Sequence, residues 1–315
     1  MSGSVFEFGP LVIRASSASH PHVTRMSPSA AATDTMRFMS TPLIADQISR
    51  HLGVAARDLK VEVLATTQST NADLRARIAE LSVPLLLATE NQTAGRGRAG
   101  RSWHSTPGDS LCFSLAWPLT LSIDRIAGLP LAAGVAVADA LHRLGWAVQL
   151  KWPNDLLLNT AKLGGLLIET VSSSRATNDS RVWVVIGVGI NIHPNPQRDA
   201  AIDYPTAFLS SQPLDRNNLL AKIADSLCEM LVEFDRYGLR PFVERWHTLH
   251  AYQNQPVTLH ESGRLLHEGV ARGINDNGCL LLDTAHSQQI ISTGDVSLRS
   301  ALPHTTVGVT HAAVD

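Results

Sequence analysis

The stretch GRGRAGRSW, residues 95 to 103, together with the segment directly after it, restricts the fold more than any other feature of the chain. Glycines permit positive φ and close backbone approach. Arg96, Arg98 and Arg101 can offer forked, charge-assisted hydrogen bonds, so the stretch reads as a loop for an anion such as phosphate. Gly95-x-Gly97-x-x-Gly100 matches the dinucleotide fingerprint, and Gly95, Gly100 and Ser102 also fall at P-loop spacing. Both scaffolds require a helix directly after the loop, with the phosphates held at its N-terminus. Here the chain runs instead into the turn Pro107-Gly108 and a strand-like segment, Leu111–Trp117, and Arg101 stands where a P-loop has lysine. Neither architecture fits. A phosphate loop on another scaffold remains, beside the plainer alternatives of a solvated surface loop or an arginine-rich nucleic-acid patch.

The order of segments around the loop indicates that scaffold. Residues 41–53 predict a helix with Thr41 as cap, Pro42 at the first helical position and Gly53 beyond its end. A strand follows at 61–66, then a helix over 69–81 with Thr70 and Asp73 in capping-box spacing, then a strand over 83–90. Residues 122–145 read as one long helix rich in small residues. The strand-like runs at 148–152, 156–158, 163–171 and 181–192 are separated only by turns, Pro153-Asn154-Asp155 and 172–180. That spacing suits antiparallel hairpins better than βαβ crossovers. Residues 217–238 form a helix ending at Gly238, with a shorter one over 240–250. From Gln253 onward short strands alternate with turns, which predicts a small barrel appended to a mixed domain. The fold class is therefore α+β.

Composition bounds the function. With 26 Lys+Arg against 28 Asp+Glu, the net charge of −2 gives no general attraction to nucleic acid, so the arginines of the loop are a local concentration. Three well-separated cysteines include no CxxC pair, and the thirteen histidines no HxxxH or HExxH, which argues against disulfide or metal frameworks and for a reducing cytoplasm. No run of eighteen apolar residues suggests a membrane span. Residues 1–40 are rich in Ser, Ala, Thr and Pro without period, which predicts a disordered tail; a faint transit-peptide character and a start placed too early are the alternatives.

Three further stretches carry polar groups in unusual places. Lys151, Asn154 and Asp155 cluster at a strand end, with Lys162 one hairpin later; a lysine beside an aspartate can neutralise phosphate while the carboxylate orients it or holds Mg²⁺, and the same residues can form an ordinary turn. Gly164 and Gly165 suit either close packing or close approach of a ligand. Asn191 ends an apolar run and needs partners from backbone or ligand. The QSTNAD stretch, residues 68–73, can be a helix cap or a receptor for a small polar ligand.

Together, Ser69-Thr70-Asn71, Gln92 with Gly95–Trp103, Lys151–Asp155, Lys162-Leu-Gly-Gly and Gly187–Asn191 resemble the bacterial biotin protein ligases in order and spacing, from about residue 43 to 300. The resemblance implies a mixed sheet with helices related to class II aminoacyl-tRNA synthetases, over 41–251, an SH3-like β-barrel over 252–300, and a flexible tail over 301–315. It implies that Ser69, Thr70, Asn71, Gln92, Arg96, Gly97, Arg98 and Lys162 contact biotin. ATP contacts would come from Arg98, Arg101, Trp103, Asn154, Asp155, Lys162 and Asn191, with Lys162 and Arg98 as catalytic residues. It implies ATP and Mg²⁺ as cosubstrate and cofactor, and the biotin carboxyl carrier protein of acetyl-CoA carboxylase as acceptor. Gly164, where many relatives carry Ala, and Ala99, often Arg or Gly, depart mildly from the pattern.

Some relatives add a helix-turn-helix domain. Three helices would fill nearly all the space before residue 41, and that segment lacks a helical pattern, so a ligase that does not bind DNA is expected. A strand-edge homodimer stays open. A lipoate ligase, a biotin-responsive DNA-binding regulator and a catalytically silent binding protein are the rival readings. The Gly-Arg-Gly-Arg loop argues against the first, charge against the second, and the retained Lys162 and loop arginines against the third.

Overall fold

The structure is a computed structural model that describes residues 41–172, 181–200, 202, 204–261, 263–292 and 296–301. The tail expected over 1–40, and all but the first residue of that expected over 301–315, lie outside the described residues.

The first strand, β1 (Lys60–Thr67), and the second, β2 (Leu85–Gln92), are parallel and joined through the helix α2 (Thr70–Arg77). Every other pairing in the sheet is antiparallel: β3 (Ser110–Leu119), β4 (Gln149–Lys151), β5 (Asp155–Leu158), β6 (Ala161–Ser172) and β7 (Val182–Asn191) complete seven strands in the order β1-β2-β3-β7-β6-β5-β4. The hairpins read from the turns between 148 and 192 are thus real. The continuous apolar run at the start of β2 has a simple cause: Leu86 and Ala88 enter the main core while Leu85 and Leu87 enter a second core on the opposite face.

The main core lies under α1 (Ala45–His51), α3 (Leu129–Arg143), α5 (Arg216–Tyr237) and α6 (Val243–Leu249). Small residues allow α3 to be buried on most of its circumference: Ala132, Ala133, Ala136, Ala138 and Ala140 let it pack closely against α5 and the sheet. The second core is smaller and sits beneath α2, where Leu74 and Ile78 meet Leu85, Leu87, Trp183 and Val185. A short helix, α4 (Pro196–Ala200), follows β7.

Three helix starts differ from the sequence expectation. Residues 41–44 do not coil: Leu43 N donates to Glu90 Oε1 at 2.6 Å, Ile44 N to Asn217 Oδ1 at 2.8 Å, and Thr41 O accepts from Arg216 Nη2 at 2.9 Å. The helix therefore begins at Ala45, beyond Pro42. In α2 the cap is Ser69 rather than Thr70, while Asp73 accepts from Thr67 Oγ1 at 2.5 Å. Residues 123–125 form a separate 3-10 turn, and α3 starts only at Leu129, which puts Pro130 in its first turn; a helix running on from residue 122 would carry that proline in its interior, where it has no N–H to give and clashes with the preceding turn.

The C-terminal strands β8 (Pro256–Glu261), β9 (Arg264–Ile274), β10 (Leu280–Asp283), β11 (Gln288–Ile291) and β12 (Val296–Ser300) form a second, wholly antiparallel sheet in the order β11-β10-β9-β8-β12. The long β9 pairs with β8 along its first half and with β10 along its end. Register shifts at Leu259/His260 and Leu281/Leu282 mark the bulges that bend such strands. Its outer strands β11 and β12 are not paired to each other among the described residues, and the antiparallel sheet is consistent with the expected SH3-like domain. It is fastened to the first sheet where Trp152 Nε1 donates to Gly278 O at 3.1 Å.

Candidate active site

The arginine loop is a miniature hairpin. Trp103 N donates to Gly95 O at 2.9 Å and Gly97 N to Arg101 O at 2.7 Å, with Arg96 opposite Ser102. Its tip turns through Ala99 (φ 55°) and Gly100 (φ 70°), so the left-handed backbone at Ala99 is held with a Cβ in place, at a cost of roughly 1 kcal/mol. Trp103 roots the hairpin: its indole Nε1 donates to Cys112 Sγ at 3.3 Å, and its ring fills the space over Gly189, where a Cβ would stand 2.5 Å from it. Burial pushes the Cys112 thiol up to about 11, so it packs there as a neutral group. Arg96 and Arg101 are exposed, whereas Arg98 reaches across to Asn154 Oδ1 at 3.4 Å.

At the start of α2, Ser69, Thr70 and Asn71 are almost wholly buried yet form part of a cleft wall. Gln92, at the end of β2, turns its Oε1 to the Thr70 amide at 3.0 Å. Gly187 explains how Asn71 fits: a Cβ on that strand position would lie 2.2 Å from Asn71 Oδ1. Thus the two glycines of the Gly187-Val-Gly189 run are dents in β7 that receive Asn71 and Trp103.

On the far side of the cleft, Asp155 opens β5 and is gripped by two ammonium groups, Lys162 Nζ at 2.7 Å and Lys151 Nζ at 3.0 Å. Burial, the largest influence, pushes the Asp155 carboxyl up. The charges and hydrogen bonds of Lys162 and Lys151 outweigh it together and hold the group below the usual carboxylate range. One carboxylate serving two ammoniums leaves a positive charge in excess. Lys162 is fixed at its backbone too, since its N donates to Pro205 O and its O accepts from Ala207 N. Its ammonium lies 5.4 Å from the centre of the Tyr204 ring.

These parts surround one cleft of about 570 Å³, within the range of small-molecule sites. Ser69, Thr70, Asn71 and Gln92 line one end, and Asn154, Asp155 and Lys162 the other. Arg96, Gly97, Arg98, Arg101 and Trp103 form the loop between them. Gly165 lies on the floor, while Gly164 is a packing glycine whose Cβ would strike Gly189 O at 2.3 Å. Asn191 is not brought into the lining: its amide donates to Ala207 O at 3.0 Å and Lys162 O at 3.5 Å, bracing the Lys162 backbone from behind. Sequence reasoning missed Tyr204, Tyr252, Ser297 and Arg299, which complete the rim. No local pattern marks them, because they arrive from a connecting loop and from the second sheet.

Among the described residues, Asp155 is the only carboxylate in the lining, both its oxygens are engaged, and no cluster of three metal-ligating side chains occurs. These residues do not fit a metal held by the protein itself. Magnesium suits this cleft as a companion of nucleotide phosphates, which are its usual ligands.

Residues 61–191 match the Biotin/lipoate A/B protein ligase family, and residues 253–299 match the Biotin protein ligase C terminal domain. The bifunctional ligase/repressor BirA of Escherichia coli is 37% identical over 244 residues, covering 76% of this chain and 74% of the relative. The chain belongs to the biotin protein ligase family. Within that family, the biotin–[acetyl-CoA-carboxylase] ligase of Paracoccus denitrificans is 30% identical over 242 residues, covering 74% of this chain and 98% of its own. A biotin protein ligase from Aquifex aeolicus, solved in complex with biotin and ATP, superposes with a TM-score of 0.62 at 26% identity, covering 76% of this chain and 99% of that one.

Proposed function

We propose that the chain is an ATP-dependent biotin protein ligase acting in two steps. A biotin carboxylate oxygen attacks the α-phosphorus of ATP, forming biotinyl-5′-AMP as pyrophosphate leaves. The amine of an acceptor lysine then attacks the acyl carbon, forming an amide as AMP leaves with the bonding pair of the anhydride. The observation that carries this reading is the polarity of this cleft: uncharged hydrogen-bonding groups at the Ser69–Gln92 end, and cations gathered at the Arg98–Lys162 end.

Each residue has a role that this polarity supports. Ser69, Thr70, Asn71 and Gln92 receive the head group of biotin. Lys162 stands where carboxylate and α-phosphate meet, and with Arg98 it neutralises charge that grows on the phosphoryl oxygens. Lys151 keeps Asp155 paired when Lys162 turns to the phosphate. Arg96, Gly97 and Arg101 close over the adenylate and shield the anhydride from water. Asn154, held by Leu166 O at 2.6 Å, positions Arg98. Trp103 bounds the nucleotide side.

The acceptor we propose is the biotin carboxyl carrier protein of acetyl-CoA carboxylase, in line with the activity for which the Paracoccus denitrificans relative is named. No helix among the described residues is long and apolar enough to cross a membrane. A cytoplasmic location is proposed from the free cysteines and the carboxylase substrate.

The test is ATP–pyrophosphate exchange with biotin, with lipoate and with neither. Exchange that requires biotin is the expected result. Exchange with lipoate instead would keep the adenylation chemistry and replace the substrate, and no exchange with either would remove the proposal.

A further inference from the structure

A chain of polar side chains runs behind the neutral end of the cleft. It begins at the partly exposed Arg75 of α2, whose Nη1 donates to Glu169 Oε1 at 2.7 Å. Asn71 Nδ2 donates to Glu169 Oε2 at 2.9 Å and to Leu167 O at 3.2 Å. Asn71 Oδ1 then faces Ser114 Oγ at 2.6 Å, and Ser114 Oγ faces Thr70 Oγ1, also at 2.6 Å. Thr70 Oγ1 lies 3.2 Å from Gln92 Oε1 as well.

The ends of this chain dictate where each hydrogen goes. A carboxylate paired with a guanidinium and a peptide carbonyl only accept, so Asn71 must turn its NH₂ toward them and its oxygen toward Ser114. An amide oxygen cannot donate, so the single Ser114 hydrogen goes to Asn71. The contact between the two hydroxyls then needs the Thr70 hydrogen, for which Gln92 Oε1 also competes. In either arrangement Thr70 keeps no hydrogen for a ligand. Its hydroxyl, on the cleft wall, can only accept.

We infer that Arg75, Glu169 and Ser114 are positioning residues that make Thr70 an obligate acceptor, and that the cleft thereby selects a head group presenting an N–H at that point. This rests on the proposed use of biotin and deepens it: a cyclic urea carries such an N–H and a dithiolane carries none. A head group without it leaves the Thr70 oxygen buried and unpaired, the situation in which polar sites discriminate most strongly.

The test measures ATP–pyrophosphate exchange by the full chain with biotin and with its two cyclic-carbamate analogues, in each of which one ureido N–H is replaced by oxygen. The unmodified protein should prefer biotin over one of the two by about 100-fold in kcat/KM, the scale of one buried polar group left unpaired. Glu169→Gln can offer an NH₂ to Asn71 and let the chain of hydrogens reverse, while Ser114→Ala interrupts it. Both should raise the KM for biotin by about tenfold or more, with the loss falling on KM rather than kcat, and narrow the preference to under about tenfold. A purely structural role would weaken biotin and both carbamates alike and leave the ratio unmoved, which overturns the inference. Equal use of biotin and both carbamates by the unmodified protein overturns it too. Absence of biotin-dependent exchange in the unmodified protein would instead remove the function on which it rests. Because each ratio is internal to one variant, partial misfolding does not alter it.

Discussion

A methyl group on Gly187 would stand 2.2 Å from Asn71 Oδ1 and 2.9 Å from its Cγ, far inside van der Waals contact. The register leaves no room to yield, since Gly187 sits between Ser114 of β3 and Leu167 of β6 and both neighbours also bond to Asn71. Gly187→Ala should therefore expel the Asn71 amide, unfold the protein about 1–3 kcal/mol more easily, and raise the KM for biotin more than that for ATP. Denaturant titration and exchange kinetics on the same preparation check this. A variant with normal stability and normal biotin KM would show that the strand yields and that Asn71 is not held as described. Single residues of this kind are partly legible in the sequence. The glycines announce a close approach to the strand, but only the fold shows that the visitors are protein side chains, and that Asn191 braces Lys162 from outside the cleft.

Elements are legible where local pattern and tertiary demand agree. The short segments 153–155 and 172–180 hold too few residues for crossover helices, so the hairpins of β4 to β7 can be read directly from the sequence. Helix starts depart from the local pattern where distant groups capture the backbone, and residues 41–44 are the clearest case. Their partners, Glu90, Arg216 and Asn217, are remote in sequence. Arg216 is 1% exposed and bonds Glu90 Oε2 at 2.8 Å as well as Thr41 O, so one guanidinium anchors the segment leading into α1 to both β2 and α5. Arg216→Met would leave the Glu90 carboxylate without its buried partner. Loss of about 3 kcal/mol of stability and earlier proteolytic cleavage ahead of α1 are expected, since breaking a buried pair costs more than the pair contributes. Limited proteolysis with thermal unfolding decides it, and unchanged cleavage would show that the segment is held by other contacts.

At the scale of the whole molecule, the sequence implies two sheets, but not that the second sheet supplies Ser297 and Arg299 to the rim of a cleft built by the first. The junction between them carries His250, 3% exposed, stacked on Trp246 at 4.4 Å, with Tyr252 edge-on and His247 and Gln253 nearby. Burial, with a smaller push from the charge of His247, lowers its pKa to about 4 against the opposing pull of Gln253. An unfolded histidine takes its proton near 6.5, so between those values the unfolded chain binds more protons than the folded one, and stability rises with pH. Stability is accordingly full above pH 6.5 and declines as the pH falls. Between pH 6.5 and 5 the loss should be on the order of 2 kcal/mol. Asp155, whose carboxyl is held below the usual range, keeps its contribution until the pH falls past the ordinary aspartate value and so does not enter this window. His250→Phe keeps a ring against Trp246 and removes the proton, so its denaturation midpoint should change little between pH 6.5 and 5. If the variant and the unmodified protein lose stability in parallel there, the acid sensitivity belongs to another group.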